Sequence, residues 1–158
     1  MPRTSSWRFA LAVLMLASAA PALAQPLRGC TVTATGVAFG SYDSLTTVPD
    51  DGVGAIQAAC HPSEQGPVAS LNRGLTGTFA ARRMTFLLNS LNYNLYSDIS
   101  RTTVWGDGTS GTVTVTLTGG VVNAGVRRFN RTIYGRIPAR QVVPFGLYAD
   151  LVIVTLTF

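Results

Sequence analysis

Residues 151–158 read LVIVTLTF, and this segment is the strongest indication of the fold. Because side chains alternate along a strand, its even-numbered residues share one face. They are Val152, Val154, Leu156 and Phe158. Leu151 and Ile153 lie on the other face, so the start of the segment is apolar on both sides. Two interpretations stay open: a strand buried on both faces, or a strand bordering a groove that another chain fills. An open apolar edge promotes aggregation, so exported proteins normally cover it.

The preceding sequence predicts further short strands separated by turns. Glycine and proline interrupt it often, and the segments between them alternate with a period of two. The clearest is 112–118 (TVTVTLT), with valine and leucine on one face and threonine on the other. Further strands are predicted at 31–35, 54–60, 67–72, 84–88, 93–96, 131–137 and 147–158, and turns at 48–52, 64–67 and 105–108. Because no helix, linker or repeat interrupts this pattern, we predict one all-β sandwich domain.

The first 24 residues have the composition of a secretory leader. Arg3 and Arg8 precede an uncharged apolar run over 9–20, which is too short to span a bilayer. The sequence ALA at 22–24 supplies the small residues that signal peptidase requires. We therefore expect cleavage before Gln25; the alternative is an uncleaved membrane anchor.

The expected mature domain, residues 25–158, contains two cysteines, Cys30 and Cys60. An even number in an exported chain predicts one disulfide bond, which would stabilise the fold by roughly 3–4 kcal/mol. A metal site is the alternative, but two cysteines and the single histidine, His61, do not supply a tetrahedral ligand set.

The composition also limits the partners. Charged residues make up 12% of the chain and hydrophobic residues 47%, which favours a surface covered by another protein. The formal net charge is +5 and the arginines are scattered, so we predict no nucleic-acid binding.

No catalytic constellation is present in the sequence. His61 precedes a proline in a predicted turn, and the Asp50-Asp51 pair is interpreted as a solvated loop. Three further aspartates could pair for glycoside hydrolysis, although nothing in their spacing requires it. They are Asp43, Asp98 and Asp150. No nucleophile elbow, P-loop or dinucleotide motif occurs. We therefore predict no enzyme, no cofactor and no small-molecule substrate, with a hydrolase as the weakest alternative.

Trp105 lies on a glycine-rich turn, WGDGT at 105–109. Its ring could stack on a sugar or pack inside the sandwich, and packing is favoured. The first possibility keeps open a secreted carbohydrate-binding module with Trp105 as a surface contact.

Three sets of residues together are similar to the spore coat protein U domain family. The first is Cys30, GVAFGSYD at 36–43 and Cys60; the second is LNYNLYSD at 91–98 with RTTVWGDG at 101–108; the third is IYGRIP at 133–138 and GLYAD at 146–150 with the terminal strand. They run in order over residues 30–158. The family includes secreted subunits of archaic (Csu-type) chaperone–usher pili and the spore coat protein that names it.

The resemblance implies a pilin-type fold, an incomplete immunoglobulin-like sandwich that lacks its last strand. A periplasmic chaperone would lend a strand, and a neighbouring subunit would replace it at the outer-membrane usher. The resemblance further implies export through the periplasm to a cell-surface pilus that serves adhesion and biofilm formation. The stretch after Cys30 would form one wall of the donor-strand and chaperone groove, and the terminal strand would line the other. The lining residues would be Leu151, Val152, Ile153, Val154, Leu156 and Phe158.

One feature departs from a polymerising pilin. Between the expected cleavage site and Cys30, residues 25–29 read QPLRG and span at most about 17 Å. They include Pro26, which has no amide hydrogen to donate. We therefore expect a subunit that accepts a strand but gives none, which suits a tip or minor position. The structural alternative is a self-contained coat or surface-matrix protein with a closed sandwich.

Overall fold

The computed structural model describes residues 29–158, and this part of the chain is all β. Its strands are β1 Cys30–Ala38, β2 Asp50–Cys60, β3 Val68–Leu71, β4 Arg82–Phe86, β5 Asn89–Tyr96, β6 Val115–Thr116, β7 Val121–Asn123, β8 Val126–Ile137 and β9 Val154–Thr157. The predicted leader and its cleavage site lie outside the described residues. Within residues 29–158, nothing qualifies as a helix able to cross a membrane.

Two antiparallel sheets enclose a common core. The first has the order β1-β2-β8-β5-β4, with β7 also beside β8, and the second has the order β6-β3-β9. β8 is the longest strand and pairs with the whole of β2, from Asp50↔Ile137 to Cys60↔Arg127. The all-β prediction is therefore confirmed, and β8 organises the first sheet.

The predicted disulfide is present. Cys30 and Cys60 are joined by an S–S bond of 2.04 Å and occupy directly paired positions on β1 and β2. The bond therefore fixes one end of β1, an edge strand, to its single neighbour.

Trp105 is completely buried and links the two sheets. Its backbone amide donates to the carbonyl of Leu95 on β5 (2.9 Å), and its indole Nε1 donates to the carbonyl of Ala69 on β3 (3.0 Å). The prediction of a surface contact at Trp105 is wrong, because both hydrogen bonds hold the residue inside the sandwich. The carbohydrate-binding hypothesis loses the residue that supported it.

Arg82 is a second buried link, and its guanidinium meets only neutral oxygens in the described part of the chain. It donates to Asn94 Oδ1 (2.7 Å), to the carbonyl of Trp105 (2.7 Å) and twice to the carbonyl of Asn72 (2.9 and 3.1 Å). Its guanidinium carbon also lies 5.5 Å from the centre of the Phe79 ring. Burial lowers the pKa of Arg82. Because Asn94 lies on β5 and Asn72 directly follows β3, this side chain connects the two sheets.

The segment 112–118 differs from the prediction of one continuous strand. Its alternation is real, but only Val115–Thr116 forms a strand, β6. Val113 donates to the carbonyl of Val104 (3.0 Å), whereas Leu117 donates to the carbonyl of Pro67 (2.8 Å). The segment changes partners along its length, and this change ends the regular pairing.

The interpretation of Asp50 and Asp51 as a solvated loop is also wrong. Both open β2, because β8 continues far enough to pair with them. Asp51 forms ion pairs with Arg136 (2.7 Å) and Arg101 (3.2 Å). The hydrogen bond from Arg136 is the largest cause of the lowered pKa of Asp51.

Replacing Trp105 with phenylalanine is expected to lower the free energy of unfolding by about 2–4 kcal/mol, because it removes the indole hydrogen bond to the Ala69 carbonyl and opens a void. Denaturant unfolding of the oxidised chain measures the change. The exposed Leu88→Ala serves as the control and should change stability by less than about 0.5 kcal/mol. Equal stability of both variants would contradict the role of Trp105.

Replacing Arg82 with methionine is expected to lower the free energy of unfolding by about 3 kcal/mol or more, because several buried oxygens lose their donor. Arg83→Met is a matched control, since Arg83 is the next residue on the same strand and its side chain is exposed. The same urea titration on both variants tests this. If Arg82→Met unfolds at the same urea concentration as Arg83→Met, the guanidinium does not hold the sheets together.

Candidate functional site: an open groove between the sheets

The inner face of β1 is uncovered. β2 is the only strand beside β1 in the described chain. Val32 and Ala34 pair with Ala58 and Ile56 and therefore face the core side, where Ala58 and Ile56 are 2% and 0% exposed. Val32 is nevertheless 37% exposed, and Ala34 is also exposed. Inward-facing side chains stay exposed here because nothing in residues 29–158 packs over them.

β9 borders the second sheet in the same way. It pairs with β3, from Leu71↔Val154 to Val68↔Thr157, and no other strand of the described part lies beside it. Val154 and Leu156 are half-buried against the core, whereas Thr155 and Thr157 are exposed. The sequence-based alternation therefore holds within this strand.

The segment before β9 crosses from one sheet to the other. Ala149 exchanges two backbone hydrogen bonds with Thr85 of β4 (2.9 and 3.2 Å), and the chain then joins β3 in the second sheet. The prediction of one strand over 147–158 is wrong for this reason: the residues before Val154 change sheets.

The space between β1 and β9 is closed at one end and open at the other. A Cβ atom placed on Gly29 would lie 3.0 Å from the Phe158 ring, so the two strands meet there. The same atom on Gly36 would have no neighbour within 4 Å. The groove therefore widens along β1, away from the disulfide.

Two cavities lie in this groove. The smaller, of about 380 Å³, is bounded by Ala34 and Gly36 on the β1 side and by Leu151, Val152 and Val154 on the other. The larger, of about 580 Å³, continues past the end of β1 and is bounded by residues 143–148. The floors of both are core side chains.

The six predicted groove residues divide into two groups. Leu151, Val152 and Val154 line the smaller cavity, and Leu156 is half-buried beside them in the core. Ile153 lies outside the cavity lining, and its backbone exchanges hydrogen bonds with Asn72 (2.9 and 3.0 Å). Phe158 packs on Gly29 at the closed end. Their function as a binding surface stays a prediction.

Val37 and Phe39 separate the cavities, and the sequence did not single them out. Both side chains line both cavities, together with Met84 and Tyr148. We call Val37 and Phe39 the ridge. The register of β1 against β2 shifts between Thr35 and Ala38, so Val37 lies within this irregularity and Phe39 follows it. In the sequence both residues belong to GVAFGSYD at 36–43, which supported the family resemblance but gave neither residue an individual role.

A hydrogen-bonded pair, the buried Tyr93 and the half-buried Asp150, lies at the edge of the smaller cavity. Tyr93 Oη donates to Asp150 Oδ2 (2.7 Å), while the amides of Leu75 and Leu151 donate to Asp150 Oδ1 (2.9 and 2.8 Å). Burial, followed by the hydrogen bond to Asp150, raises the pKa of Tyr93. Tyr93 therefore stays neutral, and the carboxylate is satisfied by donors that hold the wall of the groove.

The aspartates considered for catalysis form separate local structures. Asp98 accepts from Thr102 and Thr103 in its own loop, and Asp43 accepts from the amide of Leu45. Neither shares a hydrogen-bond partner with Asp150 among residues 29–158. The arrangement does not pair carboxylates for glycoside hydrolysis.

Large apolar side chains are exposed beside the wider cavity. Phe145 and Leu147 border it and are 102% and 88% exposed. Leu87 and Leu88, at the turn between β4 and β5, are also exposed. The Phe86 ring packs on Tyr148 (5.7 Å between centroids), which holds this turn next to residues 145–147. This end of the groove therefore presents a continuous apolar margin.

Comparisons with known proteins identify a relative by sequence and a relative by structure. The chain is 34% identical over 133 residues to Protein U of Myxococcus xanthus, and the alignment covers 76% of this chain and 70% of that protein. Its fold is similar to that of a chain in the pre-assembly complex of chaperone CsuC with tip adhesion subunit CsuE, from archaic chaperone–usher Csu pili of Acinetobacter baumannii. The TM-score is 0.57 and the identity 24%.

That structural similarity covers 84% of this chain and 40% of the solved one, so this chain spans less than half of its structural relative. It shows a pilin-type fold. The family model named Spore Coat Protein U domain matches residues 16–155. Together with the identity to Protein U, this match shows that the chain belongs to the Spore Coat Protein U domain family.

Proposed function

We propose that this protein is a structural subunit of an archaic chaperone–usher pilus and that it is completed by a strand from another chain. The observation that carries the proposal is the exposure of Val32 and Ala34 on the inner face of the first sheet. An added strand between β1 and β9 would cover both residues. It would also supply hydrogen-bond partners to two strand edges that lack them in the described chain.

The proposed binding follows from ordinary sheet physics. Main-chain hydrogen bonds to β1 and β9 would hold an extended segment, and every second side chain would enter the groove. Each aliphatic side chain that becomes fully buried there would contribute about 1.5–3 kcal/mol. Leu151, Val152 and Val154 would receive these side chains from the β9 side, as the family resemblance implied.

The partners would act in sequence during export. A periplasmic chaperone would lend the first strand, and a neighbouring subunit would replace it at the outer-membrane usher. The chaperone-bound state of the structural relative supports the first step. The exposed margin formed by Phe145, Leu147, Leu87 and Leu88 supports a protein partner larger than a single strand, since isolated domains rarely expose such a group of side chains.

We further propose a tip or minor position in the pilus. With cleavage before Gln25, the segment 25–29 has no alternating apolar residues to offer a neighbour. The mature chain would then accept a strand without giving one. In this scheme it would end a fibre, and residues 25–158 would act as one exported domain at the cell surface.

A self-contained coat or surface-matrix protein is the second candidate, favoured by the match to the Spore Coat Protein U domain family. In that case the oxidised chain would be a stable monomer that is indifferent to added strands. The two candidates therefore differ in one measurable property, the response of the isolated chain to a donor.

An added strand is expected to stabilise the oxidised chain by about 2.7 kcal/mol when its concentration is 100 times its dissociation constant. The probe is a synthetic peptide with alternating apolar residues, and thermal unfolding measures the gain. Ala34→Asp should abolish the gain while leaving the free chain unchanged within about 0.5 kcal/mol, because Ala34 is exposed there.

Thr33→Asp is the matched control. Thr33 is also exposed, but it pairs with Gln57 and faces away from the groove, so this variant should respond to the peptide like the native chain. No gain for the native chain, or the same loss in both variants, would contradict the proposed groove.

The mature chain 25–158 is expected to stay monomeric when its chaperone is removed in the presence of excess chain. A variant that carries an added N-terminal segment of alternating apolar residues should form linear polymers under the same conditions. Size-exclusion chromatography with light scattering distinguishes the two. Polymers of the chain without the added segment would contradict the tip or minor position.

A further inference from the structure

The ridge stands directly on a platform of three glycines. A Cβ atom on Gly135 would lie 2.6 Å from both the Phe39 ring and Val37 Cγ1. On Gly52 and Gly54 it would lie 2.9 Å from the Val37 side chain. These glycines occupy inward-facing positions of β2 and β8, so the ridge rests on bare backbone.

The ridge is also held from its other sides. The Phe39 ring meets Tyr93 edge-on, with 6.0 Å between centroids. The Tyr93 hydroxyl in turn is held by the Asp150 carboxylate at 2.7 Å. Phe39 therefore lies between the glycine platform and a residue that has a fixed position.

The spacing of the two cavities is set by β8. Ile133 lies in the floor of the smaller cavity and Ile137 in the floor of the larger one. Gly135, halfway between them, lies under the ridge. Ile133 and Ile137 are four positions apart on the strand, so the two cavity floors are about 13 Å apart along β8. A strand added beside β1 runs in the same sheet and presents inward side chains with the same period.

We propose that the groove selects a donor strand by size, with a large apolar side chain, a small one and a large one at successive inward positions i, i+2 and i+4. The large side chains at i and i+4 enter the two cavities, and the residue at i+2, glycine or alanine, lies against Phe39. This inference rests on the proposed function and adds the chemistry of the partner. The ridge, rather than the groove walls, determines the register, because a shift by two residues places a large side chain on Phe39.

The test uses two synthetic strands that bind the oxidised chain. Both carry leucine at the outer inward positions; one carries alanine and the other phenylalanine at the central position. The strand with central alanine is expected to bind at least about tenfold more tightly, because forcing an extra ring against packed side chains is destabilising. Titration calorimetry measures both affinities.

Phe39→Ala is the complementary variant. Removal of the ring should let the strand with central phenylalanine bind about as tightly as the strand with central alanine. A purely structural role of Phe39 would weaken the binding of both strands equally and would leave the preference for central alanine in place. Val37→Ala provides a second, smaller opening in the ridge if Phe39→Ala does not fold. Val121→Ala, an exposed position on β7 that lines neither cavity, is the control whose preference should stay native.

The outcomes separate the two proposals. Equal affinity of both strands for the native chain overturns the size selection and leaves the groove function intact. Binding of neither strand overturns the groove function together with this inference. A preference for central alanine that persists in both Phe39→Ala and Val37→Ala also overturns the assignment to the ridge.

Discussion

The free edge of β1 shapes this whole flank of the sandwich. A strand with one neighbour leaves half of its amides and carbonyls without partners from the sheet, and here the inward side chains of Val32 and Ala34 are exposed as well. This part of the strand has little packing to hold it. The Cys30–Cys60 bond compensates, because it joins β1 covalently to β2 at the end where the groove closes.

The sandwich must also stay folded while one flank is open. Two buried side chains meet this need, since Trp105 and Arg82 each bond to groups from both sheets. Tyr93 and Asp150 hold the crossing segment before β9 in a similar way. The sheets are thus tied together by directed hydrogen bonds, and the groove can stay empty without collapse of the core. The groove can therefore be open because hydrogen bonds inside the core, and not contacts across the groove, hold the two sheets together.

Much of the architecture could be predicted from the sequence because period-two alternation and cysteine number are local properties. They indicated the all-β fold, the disulfide and the inward face of residues 152–156. Partner changes could not be predicted, since 112–118 alternates perfectly yet bonds to different segments at its two ends. Packing was favoured for Trp105, but its glycine-rich turn left exposure open as an alternative, and the hydrogen bonds to Leu95 and Ala69 hold the residue inside. The ridge escaped prediction because it depends on glycines far away in sequence.

Hydrogen–deuterium exchange can show whether the edges of β1 and β9 are free, because it measures the protection of individual main-chain amides. In the isolated oxidised chain, the amides on the free edges of β1 and β9 should exchange rapidly, while the amides of β2 and β8 stay protected. Protection of β1 and β9 should appear only when a partner strand is bound. Slow exchange of both edges in the isolated monomer would mean that the chain already completes its own sandwich, and the account would be contradicted.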